Sequence, residues 1–235
     1  MGTLINVGAI IIASILGVIF KRGLPEKIQK SIMLVLGLGL IALSLGWFLK
    51  DFLIVNQDGI STHSDLLIII SLVIGVMIGE WIDIDMRLNR WAENVEKKYN
   101  LPPLAKGFIA GTLIFCVGAM AIVGSIQDGL YGDITTLVIK SALDFITAMI
   151  LASVLGIGVI FSAFSVLIYQ GSLTLLAMTS TDILSIEMIK AVSMVGNILL
   201  IAIGFNFMEI KKIKVANMLP AIFIPILYYL VISLF

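Results

Sequence analysis

Two ionisable side chains, Lys140 and Asp144, stand four residues apart in the stretch between Ile134 and Met178, which carries no other charge. On a helix that spacing puts both on one face, within reach of each other. A charge at the centre of a lipid bilayer costs about 2.5–3.5 kcal/mol on insertion scales, and pairing lowers the cost of both partners. Two chemistries fit. One is a structural ion pair holding a helix bundle together. The other is an ion or proton site in which Asp144 takes a cation or a proton and Lys140 tunes it. Thr147 continues the same face. Other apolar stretches carry polar stripes: Thr3, Asn6, Ala13 and Gly17; Lys190, Ser193, Asn197 and Gly204; Ser162, Ser165, Tyr169 and Ser172, with Gln170 alongside. Lipid cannot satisfy amides and hydroxyls, so these stripes are expected to point inward. The candidate substrate or ion site is therefore Asn6, Lys140, Asp144 and Asn197, with Gln127 and Asp128 at its outer mouth. Asp144 would be the coupling carboxylate and the asparagines neutral ligands.

Other chemistry is sparse. Glu80 and Asp83, with Asp85 nearby, are oxygen donors of the kind hard divalent cations use. They serve equally well to cap a helix exit or to pair with Arg87 and Arg90. One histidine and one cysteine do not make a zinc site of the usual kind. Cys116 lies in an apolar run and reads as a small hydrophobe. The chain has no zincin, P-loop or nucleophile-elbow motif. Neither enzymatic activity nor a cofactor is expected. The segment Gly124–Gly129 brackets Ser125, Gln127 and Asp128 between glycines. It reads either as a helix break exposing carbonyls to a solute or as a simple outer turn.

The elements that must hold these residues are membrane helices. Hydrophobic residues make up 60% and charged residues 13% of 235, against about 25% charged in soluble domains. Mean hydropathy is +1.15. Too few charges remain to coat a water-soluble surface, which excludes a soluble enzyme, a nucleic-acid binder and a disordered chain. Uncharged runs near the length needed to cross a bilayer occur at Gly2–Phe20, Ser31–Leu49, Leu66–Gly79, Gly107–Ile126, Ala191–Met208 and Val215–Phe235. As one helix, Ile134–Met178 would measure about 67 Å, roughly twice the membrane, so it divides at Gly156-Ile157-Gly158 into two spans or a bent element. The expected fold is an all-α polytopic transmembrane bundle of about eight spans. Pro220 and Pro225 should kink the last one. Twelve of the fifteen basic residues fall in the first, third and last connections, which places those connections in the cytoplasm and both termini outside. Lys21-Arg22 follow the first apolar run instead of preceding it, so it is expected to be retained as an anchor. Asp83–Asn100 is the one long polar helix candidate, read as a connector near the headgroups with Trp81 and Trp91 as interface anchors.

Residues 2–9, GTLINVGA, match residues 111–119, GTLIFCVGA, with one substitution and one insertion. Three spans separate the matching helices, so the copies would run oppositely through the bilayer, as in many secondary transporters. The expected organisation is a single membrane domain, 1–235. It comprises a first helical repeat at 1–84, a cytoplasmic connector at 85–106, an inverted repeat at 107–178 and two further spans at 179–235. The stretches IGEWIDI (78–84), FCVGAMAIVGSIQDGLYGD (115–133), KSALD (140–144), GIGVIF (156–161) and Tyr169-Gln170-Gly171 complete a pattern over nearly the whole chain. It resembles the bacterial integral membrane proteins grouped as domain of unknown function 554, the YqgA/YdfK-like family. The resemblance implies the bacterial cytoplasmic membrane and a role described as transport, with no substrate and no binding residues. The residues lead to the expectation of a small secondary transporter or ion carrier. An oligomeric channel, or a non-transporting scaffold or sensor, are the alternatives. The expected partners are the lipid bilayer, a small ion or solute and further copies of the chain, with no nucleic acid.

Overall fold

The computed structural model describes residues 1–21, 25–56, 59–62, 64–99, 103–116, 119–179 and 185–232. Among them are seven helices long and apolar enough to cross a membrane, and an eighth span if two short helices are taken together. The chain divides into two compact units, Met1–Met33 with Leu88–Thr181, and Leu34–Arg87 with Asp182–Phe235.

The first unit is built from α1 (Gly2–Lys21), most of α4 (Ile84–Tyr99), α5 (Ala105–Cys116), α6 (Ala119–Tyr131), α7 (Thr135–Leu155) and α8 (Gly158–Thr179). Burial on α1 is the reverse of a soluble helix. Gly2, Thr3, Asn6, Ile10, Ala13, Ser14 and Gly17 are buried, while Leu4, Ile5, Ile12, Ile15, Leu16 and Ile19 are exposed. Branched aliphatics suit lipid, and small or polar residues let helices approach and bond. Helix α1 runs parallel to α7: a Cβ on Gly2 would strike Leu137, and one on Gly17 would overlap the Met149 carbonyl and Ala152. Helix α8 runs parallel to α5 and α6. Gly158 lies on the Leu104 carbonyl, Gly111 on Ser162, and Gly129 on the Thr174 carbonyl. Together α5 and α6 therefore cross the unit from end to end as one span, bent by 59° between Cys116 and Met120. Because Gly2 and Gly124 both meet Leu137, α1 runs against α5 and α6.

The division at Gly156 is the observed one. Gly156 takes φ 82° after α7, a conformation open to glycine without a Cβ clash. The Gly124–Gly129 segment is not a break or an outer turn but the interior of α6. Its glycines admit Leu137 and Thr174 to the helix surface, so the missing side chains serve packing. The axis changes earlier, after Cys116. The turn falls at Gly132 (φ 68°), and Asp133 then accepts the Thr135 N–H at 2.9 Å. The polar connector is helical and leans on α5: Ala92 is buried, Trp91 contacts the Phe108 ring at 5.8 Å, and Glu96 accepts the Leu104 N–H at 2.6 Å.

The second unit holds the larger part of α2 (Glu26–Phe52), strands β1 (Leu53–Asn56) and β2 (Gly59–Thr62), α3 (Asp65–Ile82) and α9 (Ile186–Phe207). Its last span is a sequence of α10 (Val215–Met218), a 3-10 turn (Leu219–Ile222) and α11 (Phe223–Ile232). Helix α9 is buried over most of its circumference. Around Ile68, Ala191 and Met194 gather Phe48, Phe52, Leu72, Ile198 and Tyr229. Pro220 enforces the 3-10 turn by removing a helical donor. Helix α3 crosses that bend closely, because Gly75 and Gly79 leave room for Ala221 and the Asn217 carbonyl. Beside this all-α bundle of membrane-length helices stands a short antiparallel hairpin, Leu53 opposite Thr62. Asp58 and His63, in the same stretch, lie outside the described residues. Trp81, 89% exposed, sits at the end of α3, where an interfacial anchor belongs.

Two measurements check this packing. Gly79→Ala should lower Tm in detergent, since overpacking costs about 1–3 kcal/mol. Gly8→Ala meets nothing within 4 Å and should hold or raise Tm, because a helix-interior glycine costs roughly 0.5–1 kcal/mol against alanine. Equal Tm values for the two variants would refute the close crossing of α3. At Asp133, bonding from the Thr135 N–H and hydroxyl holds the carboxyl below the usual carboxylate range. A depressed folded value stabilises above the unfolded pKa of about 4 and loses that contribution as pH falls through the folded value. The Tm difference between wild type and Asp133→Ala should accordingly be present at neutral pH and shrink in acid.

Candidate functional site

Inside the first unit, α7 presents Lys140 and Asp144 toward α1 and α8. The two residues are 6% and 7% exposed. The Lys140 ammonium donates to Asp144 Oδ2 in a buried i, i+4 ion pair. Asn6 Nδ2 of α1 donates to the same oxygen at 2.9 Å and lies 3.4 Å from Gln170 Oε1 of α8. Asn6 and Gln170 are fully buried. Two helices thus meet at one carboxylate oxygen, and α8 joins them through Asn6. Cys116, at the end of α5, lies within electrostatic range of both members of the pair, and Tyr169 of α8 lies within range of Cys116. Helix α5 therefore ends within electrostatic range of the ion pair.

The cluster is incompletely satisfied. Asn6 Oδ1 and Gln170 Nε2 have no hydrogen-bond partner among the described residues. One turn further along each helix, Thr3 Oγ1 and Thr174 Oγ1 have none either. An unmet buried polar atom costs about 1–3 kcal/mol. The unit therefore carries an acceptor, a donor and two hydroxyls free to bond a molecule between α1 and α8.

The structure brings Lys140 and Asp144 together, as their i, i+4 spacing implied, and adds Asn6 of α1. Gln170, noted only as lying beside a serine stripe, joins them. The stripe itself disperses: Ser162 and Ser172 bond back to Val159 and Tyr169 carbonyls, and Ser165 meets Thr112 at 3.1 Å. Thr147 likewise turns to the Leu143 carbonyl of its own helix. Asn197 is buried in α9 of the other unit, where its Nδ2 lies 3.4 Å from Ser193 Oγ and its Oδ1 is unpartnered. Gln127 and Asp128 stand at the end of the first unit where α1 begins. Gln127 Oε1 accepts from Thr136 Oγ1 at 2.6 Å. Asp128 accepts from the Gly2 N–H at 3.0 Å and the Met1 ammonium at 2.9 Å. In the second unit Glu80 faces Lys214 at 3.5 Å. Asp83, at φ 52°, ends α3 by donating its N–H to the carbonyls of Gly79 and Glu80. Among the described residues no three His, Cys, Asp or Glu side chains converge as a metal site.

Residues 1–230 match the family model described as "Protein of unknown function (DUF554)". The uncharacterized membrane protein YdfK of Bacillus subtilis (strain 168) is 32% identical over 234 residues, spanning the whole of this chain and 97% of its own length. The uncharacterized protein YqgA of Escherichia coli (strain K12) is 30% identical over 229 residues, covering 94% of this chain and 93% of its own. No solved structure matches. A match that runs from the first helix into the last, on a chain whose helices are built to lie in lipid, makes this a membrane protein that belongs to the DUF554 family.

Proposed function

We propose that the protein is a small secondary transporter or ion carrier of the bacterial cytoplasmic membrane, with the carboxylate of Asp144 as its coupling group. The observation that carries this reading is the meeting of Lys140 and Asn6 at Asp144, with Gln170 behind Asn6 and buried polar atoms of both amides left without a partner among the described residues. A purely structural pair would be expected to have its surroundings satisfied, since a half-satisfied polar network is worse for folding than an apolar core. Two further features support it. The sequence-matched stretches 2–9 and 111–119 begin on α1 and α5, which run in opposite directions; Asn6 of the first bonds Asp144, and Cys116 of the second lies within electrostatic range of the pair. The span carrying the second stretch is bent, as the substrate-binding helices of inverted-repeat transporters are. In this reading the Lys- and Arg-rich connections face the cytoplasm and α1 starts outside.

Purified protein in liposomes, tested with imposed H⁺, Na⁺ and K⁺ gradients, should move at least one of these ions faster than protein-free liposomes. Asp144→Asn should cut that flux tenfold or more; equal flux in the two would remove Asp144 from the mechanism. A companion series separates chemistry from architecture. Lys140→Met alone leaves a buried unpaired carboxylate and should destabilise by about 3–5 kcal/mol, whereas Lys140→Met with Asp144→Leu should recover stability because an apolar replacement of a buried pair is often neutral. The double variant should nevertheless carry no flux. Retained flux would assign the pair to architecture alone.

A further inference from the structure

Of the five unpartnered buried side-chain atoms described in the first unit, four lie at the ion pair or on one side of it. Helices α1 and α8 run in opposite directions there, so the start of α1 and the end of α8 share one end of the unit. Thr3 precedes Asn6 by three residues on α1, and Thr174 follows Gln170 by four on α8. Both steps lead from Asp144 toward the end where Asp128 bonds Gly2. Along them stand four buried atoms without a partner among the described residues: Asn6 Oδ1, Gln170 Nε2, Thr3 Oγ1 and Thr174 Oγ1. Water meets such atoms readily, since a buried water makes two to four hydrogen bonds to groups of this kind.

The other side of the pair is closed. Ile10, Ala13, Phe115, Leu151 and Ala152 are almost completely buried. Backbones touch there as well, with Gly17 against the Met149 carbonyl, Gly107 against the Val159 amide and Gly158 against the Leu104 carbonyl. Among the described residues the hydroxyl of Ser14 is unpartnered on that side, but the other hydroxyls there are taken: Ser153 and Ser162 bond back to their own helices and Thr112 meets Ser165.

The charge at the pair selects the ion. Asp144 faces Lys140 on its own helix. Helix α1 contributes the neutral Asn6, α5 the thiol of Cys116, α8 Gln170 and the phenol of Tyr169, and α6 carries its carboxylate, Asp128, at the unit's end. The one carboxylate at depth is already balanced by an ammonium. A dehydrated metal cation needs several oxygens and uncompensated negative charge, and Gln170 offers it an N–H. A proton needs neither.

We infer that the polar line Thr3, Asn6, Gln170 and Thr174 is a one-sided water path that delivers protons from the Asp128 end to Asp144, so that the coupling ion is H⁺. The inference rests on the transport reading above and names its ion and its route. A proton passed along water to Asp144 Oδ2 turns the carboxylate into a neutral acid and breaks its ion pair with Lys140. Onward release requires the apolar seal to open on the other side.

Two measurements on the full chain test this. In a Cys116→Ser background, which has no other thiol, Thr3→Cys, Thr174→Cys and Ala13→Cys are exposed to a membrane-impermeant methanethiosulfonate on either face of oriented vesicles. Thr3→Cys and Thr174→Cys should react from the same single face at least tenfold faster than Ala13→Cys, and none should react from the other. All three reacting equally slowly, or Ala13→Cys as fast as the others, overturns the path whatever the flux shows. In the second measurement a pH jump is applied to vesicles containing a pH-sensitive dye, at equal Na⁺ and K⁺ on both faces, with valinomycin holding the voltage at zero. Wild type should acidify at least tenfold faster than Asp144→Asn, with Asp144→Glu retaining part of the rate. Asp144-dependent movement of Na⁺ or K⁺ without protons overturns the proton assignment and leaves the transport reading standing. Movement of none of the three ions overturns the transport reading itself, while the labelling still decides the path.

Discussion

One carboxylate, buried among helices that face lipid, sets the terms for the first unit. Asp144 cannot sit at that depth alone, because a bare charge in hydrocarbon is expelled or neutralised. Its nearest remedy is local: Lys140 lies one turn away on the same helix. That remedy is incomplete, since the ion pair must itself be kept from lipid. Enclosure comes from α1 and α8, and it needs short interhelical distances. The glycines at 2 and 17 bring α1 onto α7, and those at 111, 129 and 158 set α8 against α5 and α6. The aliphatic residues displaced from these contacts cover the opposite face of α1 as its lipid surface. Stability alone does not account for the arrangement, because a buried pair seldom outperforms apolar residues of similar volume. The unpartnered amide atoms beside it add cost. A costly polar centre held rigidly by close packing is the configuration expected where geometry, not stability, is being selected.

The second unit uses its polar groups differently. Asn206 exchanges two hydrogen bonds with the backbone of Ile213, at 2.8 and 2.7 Å, and so closes the turn after α9. Asn217 accepts the Asp85 N–H at 2.6 Å and ties the start of α4 to α10. Both amides satisfy backbone groups where chain segments leave the helices, a structural use. Asn197 instead makes a long contact to Ser193 on its own helix, and its Oδ1, like Asn217 Nδ2, has no partner among the described residues. Chemistry and architecture are thus divided between the units: one surrounds a titratable pair, the other packs a central helix, α9, in apolar side chains.

What could be read from the residues follows from the range of each interaction. Span lengths, the division at Gly156 and the Lys140–Asp144 contact are local, and hydropathy, glycine and an i, i+4 spacing report them directly. The approach of Asn6 to Asp144 joins residues 138 apart; it was inferable only because both are polar groups that lipid rejects. Gln170 was harder, since Tyr169 and three serines form a more regular stripe next to it. Helical serines can bond to their own backbone, and two of these do so, which leaves the amide as the group needing a partner. The hairpin carries a signal in the polar sequence NQDG of residues 56–59 between apolar residues, which composition alone does not distinguish from a loop. Gly124 and Gly129 misled for a physical reason: a glycine that loosens a chain and a glycine that admits a neighbouring helix look the same in one sequence.

The two similar stretches differ at one place that bears on the bend. Residues 2–9 place Thr3 and Asn6 on one face of an unbroken helix. Residues 111–119 hold Phe115 and Cys116 where residues 2–9 have the single Asn6. One residue more turns everything downstream by about 100° in a continuous α-helix, so the longer stretch could not keep the facing of the shorter at both its ends. Helix α5 ends at Cys116, and α6 stands at 59° to it. Asn6 gives Asp144 a side-chain amide, whereas Cys116 brings a helix end into the electrostatic range of the pair. Two similar sequences, on helices that run in opposite directions, are thus put to different structural uses.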